Sequence, residues 1–584
     1  MKIKVNKNIL WAEVFIKQIA ALGVKYACIS PGSRNTPLTF ALSQNKKIKS
    51  SIIIDERSSA FYALGIAKQT GSPVLIVTTS GTAAAELYPA VIEAYKSRIP
   101  LIVCTADRPP YLRDKGANQT INQKDIFNNH IRYSKEFPLP SVTAEAFSKL
   151  KKETIIAFEI AFYTGRGPVH FNFPFEKPLE PAFHTDTISI ADFKNITKIF
   201  AKPERVIQPV KKADSSFIDY TAKMIMKRKR GIILCGAGDY GKSFCKTLQT
   251  LSVKTGYPIA ADGASGLRSG KILSGYIIEN YASLCRDKKF LYQYSPEIII
   301  QFGAAPTSAS LLAFFQNSKG IKILVNKYGD WLDPSLTAKK AISINPDDFC
   351  KEITCRIKGF KPSYEWFNEM KILDLTASVI KETEINQKPF PFEGRIIKEV
   401  ISSLPDKSNL IISNSLPIRD FDSFAEVSEK EINVFTNRGA SGIDGIISTA
   451  LGIARPSPLQ SFLLIGDLAF YYDMNSIITG IKLRVPLKII LINNNGGGIF
   501  EHLPIAKQKK VFNDFFKTPP NINFSQIIKS FGASFHSVKN WNELVKRIKG
   551  SDNKAIEVIE IKTDAAESFL ARKNYWHIIS ALIK

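Results

Sequence analysis

The stretches SFLLIGDLAF (Ser461–Phe470) and LKIILINNNGGGIF (Leu487–Phe500) decide the fold of this chain. Ser461–Ile465 and Leu487–Ile492 are apolar runs of strand length, as expected for strands covered on both faces of a parallel sheet. Each run ends in an oxygen-bearing side chain. Asp467 follows Gly466, and Asn493-Asn494-Asn495 begins 26 residues after the Asp. An acid and an amide closing two strands can hold one hard divalent cation, which takes oxygen ligands and shares them with phosphate. Gly466 lets the backbone approach an anion, and the helix after it aims its N-terminus into the same crevice.

The same grammar extends along the chain. Tyr26–Ile29, Ile52–Ile54, Val74–Thr78 and Leu101–Cys104 read as short strands, each running into a polar turn and a helical pattern. Pro168–Pro181 reads as a last strand and a Pro-rich exit, followed by a polar linker up to about Ala213. A second block, 214–360, has strands Gly231–Cys235, Ile298–Phe302 and Lys322–Asn326. A third has Leu410–Ser413, Asn433–Phe435, Phe462–Ile465, Lys488–Ile492 and Ala555–Ile561, then an amphipathic C-terminal helix. The fold class is α/β: three doubly wound parallel-sheet domains, at 1–190, 214–360 and 385–584.

The 584 residues exceed what one core organises, and 45% hydrophobic with 23% charged residues is a globular balance. No apolar run reaches the roughly 18 residues of a membrane span. The N-terminus has no apolar segment of the signal-peptide kind. Seven scattered cysteines form no C-x-x-C, which suits a reduced cytoplasmic protein without a disulfide frame or zinc site. The net charge of +26 could serve nucleic acid, with Lys227-Arg228-Lys229-Arg230 as its best segment. That segment lacks a stacking platform, and a lysine-rich surface that also handles anionic ligands is the preferred reading. Gly236-Ala-Gly238-Asp-Tyr-Gly241 is a literal G-x-G-x-x-G after a strand. Asp262 lies near the expected acidic position but without a clear second strand to carry it, so a structural turn is preferred over a dinucleotide site.

Gly-Asp, a spacer of this length and Asn-Asn together have the shape of the thiamine diphosphate (ThDP) fingerprint. ThDP chemistry also needs a carboxyl group on a separate domain to hydrogen-bond the aminopyrimidine. Glu56, after Ser51–Ile54, is the candidate; Asp55 beside it could equally be a helix cap, and so could Glu56. SPGSRNTPL (Ser30–Leu38), IDERSSAFYALGIAK (Ile54–Lys68), TTSGTAAAELYPAVIEA (Thr78–Ala94), TADRPPYLRDKGANQTINQ (Thr105–Gln123), NRGASGIDG (Asn437–Gly445), GDLAFYYDMN (Gly466–Asn475) and NNNGGGIF (Asn493–Phe500) then resemble one family. It is 2-succinyl-5-enolpyruvyl-6-hydroxy-3-cyclohexene-1-carboxylate synthase, the ThDP enzyme of menaquinone biosynthesis. The likeness covers both outer domains; the middle domain matches in outline.

The resemblance implies the pyruvate-decarboxylase/acetolactate-synthase architecture and a reaction. 2-Oxoglutarate loses CO2, and the remaining carbanion equivalent adds 1,4 to isochorismate. It implies that Arg34, Arg419 and Arg438 bind substrate carboxylates, with Ser33, Asn118 and Gln119 beside them. Glu56 is the catalytic acid. Ser415 and the Gly439–Gly442 turn serve the diphosphate, and Ile443 props the cofactor. Asp467, Asn494 and the Gly496 carbonyl hold Mg2+ (Mn2+ as an alternative). Ile499, Phe500 and Leu503 form an apolar wall. A homodimer or dimer of dimers with shared sites is implied. In one respect the chain departs from the family pattern: Phe302–Phe315 has Ala309 and Ser310 where basic residues are expected, with Arg268 or Lys319 as compensating cations. Another ThDP-dependent decarboxylase or carboligase, a non-catalytic basic binding protein and a NAD-linked oxidoreductase are the other readings.

Overall fold

Strands buried on both faces carry continuous apolar sequence, and the best-defined strands here are of that kind. In the computed structural model, which describes residues 2–201, 215–241, 243–550 and 554–583, Val74–Thr78 and Leu101–Asp107 are buried throughout. The chain divides into two compact units.

The first unit comprises Met1–Pro209, Asn437–Pro458 and Tyr472–Leu487. Its strands are β1 (Lys2–Val5), β2 (Tyr26–Ile29), β3 (Lys49–Ile52), β4 (Val74–Thr78), β5 (Leu101–Asp107), β6 (Tyr133–Glu136), β7 (Val169–Pro174) and β8 (Asp186–Ser189). Six form a sheet in the order β3-β2-β4-β5-β7-β6, every pair parallel. Trp11, Phe15, Phe137, Phe147, Phe171 and Phe173 form an aromatic core on one face. On the other, helix Ile446–Ala454 packs on helix Glu56–Thr70. Gly65 and Gly452 face each other there: a Cβ on Gly65 would lie 2.1 Å from the Thr449 carbonyl oxygen, and one on Gly452 2.1 Å from that of Tyr62.

The second unit comprises Val210–Thr436, Leu459–Tyr471 and Lys488–Lys584. A five-stranded parallel sheet, β10-β9-β11-β12-β13, is built from β9 (Gly231–Cys235), β10 (Ile259–Ala261), β11 (Ile298–Phe302), β12 (Ile321–Asn326) and β13 (Ala338–Ser343). A six-stranded sheet follows with β14 (Ser408–Ile412), β15 (Ile432–Thr436), β16 (Ser461–Gly466), β17 (Leu487–Asn493), β18 (Ser534–Ser537) and β19 (Ile556–Lys562), in the order β15-β14-β16-β17-β19-β18. Numbered from one within each sheet, both six-stranded sheets run 2-1-3-4-6-5. The coarse likeness of the first and last thirds is therefore a shared topology. The order reverses between strands one and three, which opens a crevice at their carboxyl ends.

Several expectations need correction. The strand read at Ile52–Ile54 lies at Lys49–Ile52, and β6, β13 and β18 were missed. All four are edge strands with one partner, and a half-solvated edge needs no continuous apolar run. Asp262 does follow a second strand, the three-residue β10. The expected polar linker contains β8, paired antiparallel with β1, and helix Ile190–Ala201; its remainder, 202–213, lies outside the described residues. Among the described residues no helix is long and apolar enough to cross a membrane.

Candidate active site

In the first unit the crevice lies between β2 and β4. Gly32, after β2, sits so close to the loop after β4 that a Cβ would fall 2.4 Å from Thr79 Cβ. Arg34 is buried, with Nη1 donating to the Phe175 carbonyl at 2.8 Å. Burial, and then the nearby Arg108 guanidinium, lower its pKa. Arg108 follows β5 and donates to Ser80 Oγ. Gln119 is held at φ 55° and donates to the Ser80 carbonyl at 2.9 Å. Ser80 thus joins Arg108 to Gln119, with Arg34 beside Arg108; two guanidiniums set side by side favour an anion between them. Ser33 and Asn118 are exposed next to Arg34 and Gln119 in the chain. Arg108 was not singled out in the sequence, although its position directly after a buried strand was the available signal.

Asp55 and Glu56 are separated by role. Asp55 caps helix Glu56–Thr70, accepting from the Ser58 amide at 2.9 Å, and also accepts from Asn475 Nδ2 at 2.7 Å. Glu56 occupies the first turn, half-buried, and burial raises its pKa.

Arg438 and Ile443 are half-buried in the loop 437–445. Its Gly439 amide does not stand open to a phosphate: it donates to Glu93 Oε1 at 3.0 Å, and the Ala440 amide to Oε2 at 2.7 Å. Glu93 is itself buried and accepts from Ser97 Oγ at 2.7 Å. The Gly439–Gly442 turn is therefore latched to helix Tyr88–Ser97 through its first amides, because a buried carboxylate lies opposite them.

In the second unit, the crevice between β14 and β16 carries Ser415 and Asp467. Ser415 has φ 73°, a strained value for a residue with a side chain, and makes no side-chain capping bond to helix Leu416–Phe424. Arg419, one turn on, is exposed and donates to the Ser415 carbonyl at 2.7 Å. Asp467 is 3% exposed. Its Oδ1 accepts from the Leu468 amide at 2.7 Å and its Oδ2 from the Gly496 amide at 2.8 Å. Burial nevertheless pushes its pKa up to about 6.

Asn494, after β17, donates from Nδ2 to Glu393 Oε1 at 3.0 Å, while its Oδ1 is buried with no partner among the described residues. Gly496, at φ 133°, has a carbonyl that accepts from the Gly498 amide at 2.9 Å and keeps a second lone pair. An amide oxygen with no partner among the described residues, a buried carboxylate held by backbone amides and a turn carbonyl fit a hard, oxygen-seeking divalent ion. Ile499 and Phe500 lie half-buried on the turn Gly498–His502, with Phe500 against Phe516, and Leu503 follows, exposed.

The middle-domain guesses fail. Arg268 is buried and fully engaged, with the Ala261 and Asp422 carbonyls, Asp422 Oδ1 and the Tyr281 hydroxyl. Lys319 lies just before β12, at the amino end of its strand and so at the wrong end of the sheet for a ligand. Thr307 donates to Asp262, and Ser310 donates to the Ala282 carbonyl at 2.6 Å. Arg286 is a cation that sequence reasoning passed over. It lies 3.5 Å over the Trp576 ring, which is also 5.9 Å from the His502 ring. The G-x-G-x-x-G turn is filled from within: the Tyr240 hydroxyl donates to the Gly236 and Phe302 carbonyls, and a Cβ on Gly236 would lie 1.8 Å from the Ala304 oxygen.

Three family descriptions match the chain: thiamine pyrophosphate enzyme, N-terminal TPP binding domain, at 11–126; middle domain of thiamine pyrophosphate, at 195–412; and thiamine pyrophosphate enzyme, C-terminal TPP binding domain, at 426–561. Several similar curated proteins are named 2-succinyl-5-enolpyruvyl-6-hydroxy-3-cyclohexene-1-carboxylate synthase. That of Bacillus cytotoxicus is 37% identical over 566 residues, covering 96% of this chain and 95% of that protein. That of Listeria innocua is 36% identical over 574 residues, covering 98% and 97%. That of Trichodesmium erythraeum is 35% identical over 559 residues, covering 95% and 96%.

Proposed function

The chain belongs to the 2-succinyl-5-enolpyruvyl-6-hydroxy-3-cyclohexene-1-carboxylate synthase family, and from that premise we propose how its residues serve the reaction. It is a ThDP-dependent transferase of menaquinone biosynthesis that decarboxylates 2-oxoglutarate and adds the remaining four-carbon unit to isochorismate. Bound ThDP supplies the electron sink for loss of CO2 and for the carbon–carbon bond that follows.

In this reading 1–190 binds the pyrimidine, 214–360 is structural and 385–584 binds the diphosphate. Glu56 hydrogen-bonds the aminopyrimidine. Ser415 and Gly442 serve the diphosphate, with Gly439 shaping the turn rather than donating, and Ile443 props the cofactor. Asp467, Asn494 and the Gly496 carbonyl hold Mg2+ or Mn2+. Arg34, Arg108, Arg419 and Arg438 hold substrate carboxylates, beside Ser33, Asn118 and Gln119. Arg286 serves the isochorismate end in place of Ala309 and Ser310. Ile499, Phe500 and Leu503 keep water from the reacting carbon.

The assembly is a homodimer, or a dimer of such dimers, with Glu56 meeting the partner subunit's cofactor. Seven free cysteines support a cytoplasmic protein. The positive charge serves anionic substrates and not nucleic acid.

The observation that carries the site assignment is the buried Oδ1 of Asn494, without a partner among the described residues, at the end of the strand next to that of Asp467. The test is incubation with ThDP, Mg2+ and 2-oxoglutarate, with and without isochorismate, followed by mass spectrometry. Isochorismate-dependent formation of the succinyl adduct is expected. Decarboxylation without an adduct would overturn the acceptor assignment.

A further inference from the structure

A metal-binding asparagine must present its oxygen, because its NH2 group only donates. Something has to choose between the two ends. Glu393, 1% exposed, accepts from Asn494 Nδ2 at 3.0 Å and from Thr563 Oγ1 at 2.8 Å through the same oxygen. Its other oxygen accepts from Arg572. Arg572, equally buried, forks onto Asp420, with Nε–Oδ1 at 2.8 Å and Nη2–Oδ2 at 2.6 Å. An ionised carboxylate only accepts, so it can meet only the NH2 end of Asn494. The opposite end is then the buried oxygen that no group among the described residues satisfies.

We infer that Glu393 is a positioning residue for the metal site: it turns the Asn494 oxygen toward the cation, and Arg572 and Asp420 hold Glu393 in place. The inference rests on reading Asn494 as a metal ligand. Asp420 neighbours Arg419 on helix Leu416–Phe424, so the same network anchors the helix that bears a substrate arginine.

The test uses the full chain with ThDP and measures Mn2+ affinity by electron paramagnetic resonance, with circular dichroism and melting temperature recorded for each variant. Glu393→Gln can offer an NH2 group of its own and so loses control of the amide. Glu393→Asp keeps the charge for Arg572 but falls short of Asn494. Either should weaken Mn2+ binding about tenfold or more, the usual scale for a group behind a metal ligand. Asn494→Asp presents oxygen at both ends and needs no orienting partner. The double variant Glu393→Gln/Asn494→Asp should therefore recover affinity to within about threefold of wild type, a rescue that a merely structural role would not allow. Wild-type affinity in both Glu393 variants, or no recovery in the double variant, would overturn the inference. Asn494→Ala separates the two levels. If it binds Mn2+ like wild type, the ligand assignment falls and the inference with it. If it binds weakly while the Glu393 variants are unchanged, only the positioning role is lost.

Discussion

Asp55 and Glu56 are adjacent acids at one helix start, and the difference between them is a matter of a few ångströms. Asp55 is spent on the Ser58 amide and Asn475, which is why Glu56 is the acid proposed for the cofactor. Glu56→Gln should retain ThDP binding, read by calorimetry, and lose nearly all turnover; wild-type rates would remove Glu56 from the chemistry. Arg419 is held only one turn from Ser415, and Arg419→Ala should raise the KM for 2-oxoglutarate by about tenfold or more, the scale of a lost charge-assisted hydrogen bond. An unchanged KM would take Arg419 out of the substrate site. Arg34 and Arg419 could be picked out in the sequence through the family resemblance, each falling after a strand. The pairing of Arg34 with Arg108 could not, since residues so far apart in the chain meet only through the strand order.

Two contacts between elements bear weight beyond their size. Helices Glu56–Thr70 and Ile446–Ala454 approach so closely at Gly65 and Gly452 that a methyl group meets backbone oxygen. Gly65→Ala should destabilise by about 1–3 kcal/mol, the range of overpacking, visible as a lower melting temperature. The long helix Glu365–Gln387 is tied to the segment after β10 and to the loop before β15 by Glu279, which accepts from Lys381 Nζ at 2.8 Å and from the Val427 amide at 2.8 Å. Burial opposes ionisation of Glu279, but Lys381 outweighs it and brings the pKa down to about 2. A depressed carboxyl pKa contributes stability above its ordinary value of 4.5 that is lost as pH falls toward 2, on the order of 3 kcal/mol in all. Acid denaturation should therefore be steeper for the wild type than for Glu279→Gln across that window; equal slopes would show that the ion pair contributes nothing.

For the molecule as a whole, the repeated 2-1-3-4-6-5 strand order places one loop set with arginines and another with Asp467 and Asn494 at equivalent crevices of two sheets. The acid and the metal ligands proposed above lie on separate domains, which is the ground for proposing a catalytic centre shared between subunits. Light scattering should find a dimer or tetramer in the active fraction, and an active monomer would end the shared-site reading.

The sequence by itself determined the α/β class, most of the interior strands and the residues that close them, because a strand buried on both faces must be apolar and must end where its ligands begin. Asp467 and Asn494 were legible for that reason. Tertiary structure decided the edge strands β6, β13 and β18, whose solvated faces leave no apolar run. It also decided which amides and cations are already engaged. Gly439 is latched by Glu93 and Arg268 is consumed by Asp422, through partners that no local pattern announces. The orientation of Asn494 belongs here too, since it depends on Glu393, a residue 101 positions away. Burial makes such partners obligatory, but only the packed chain selects them.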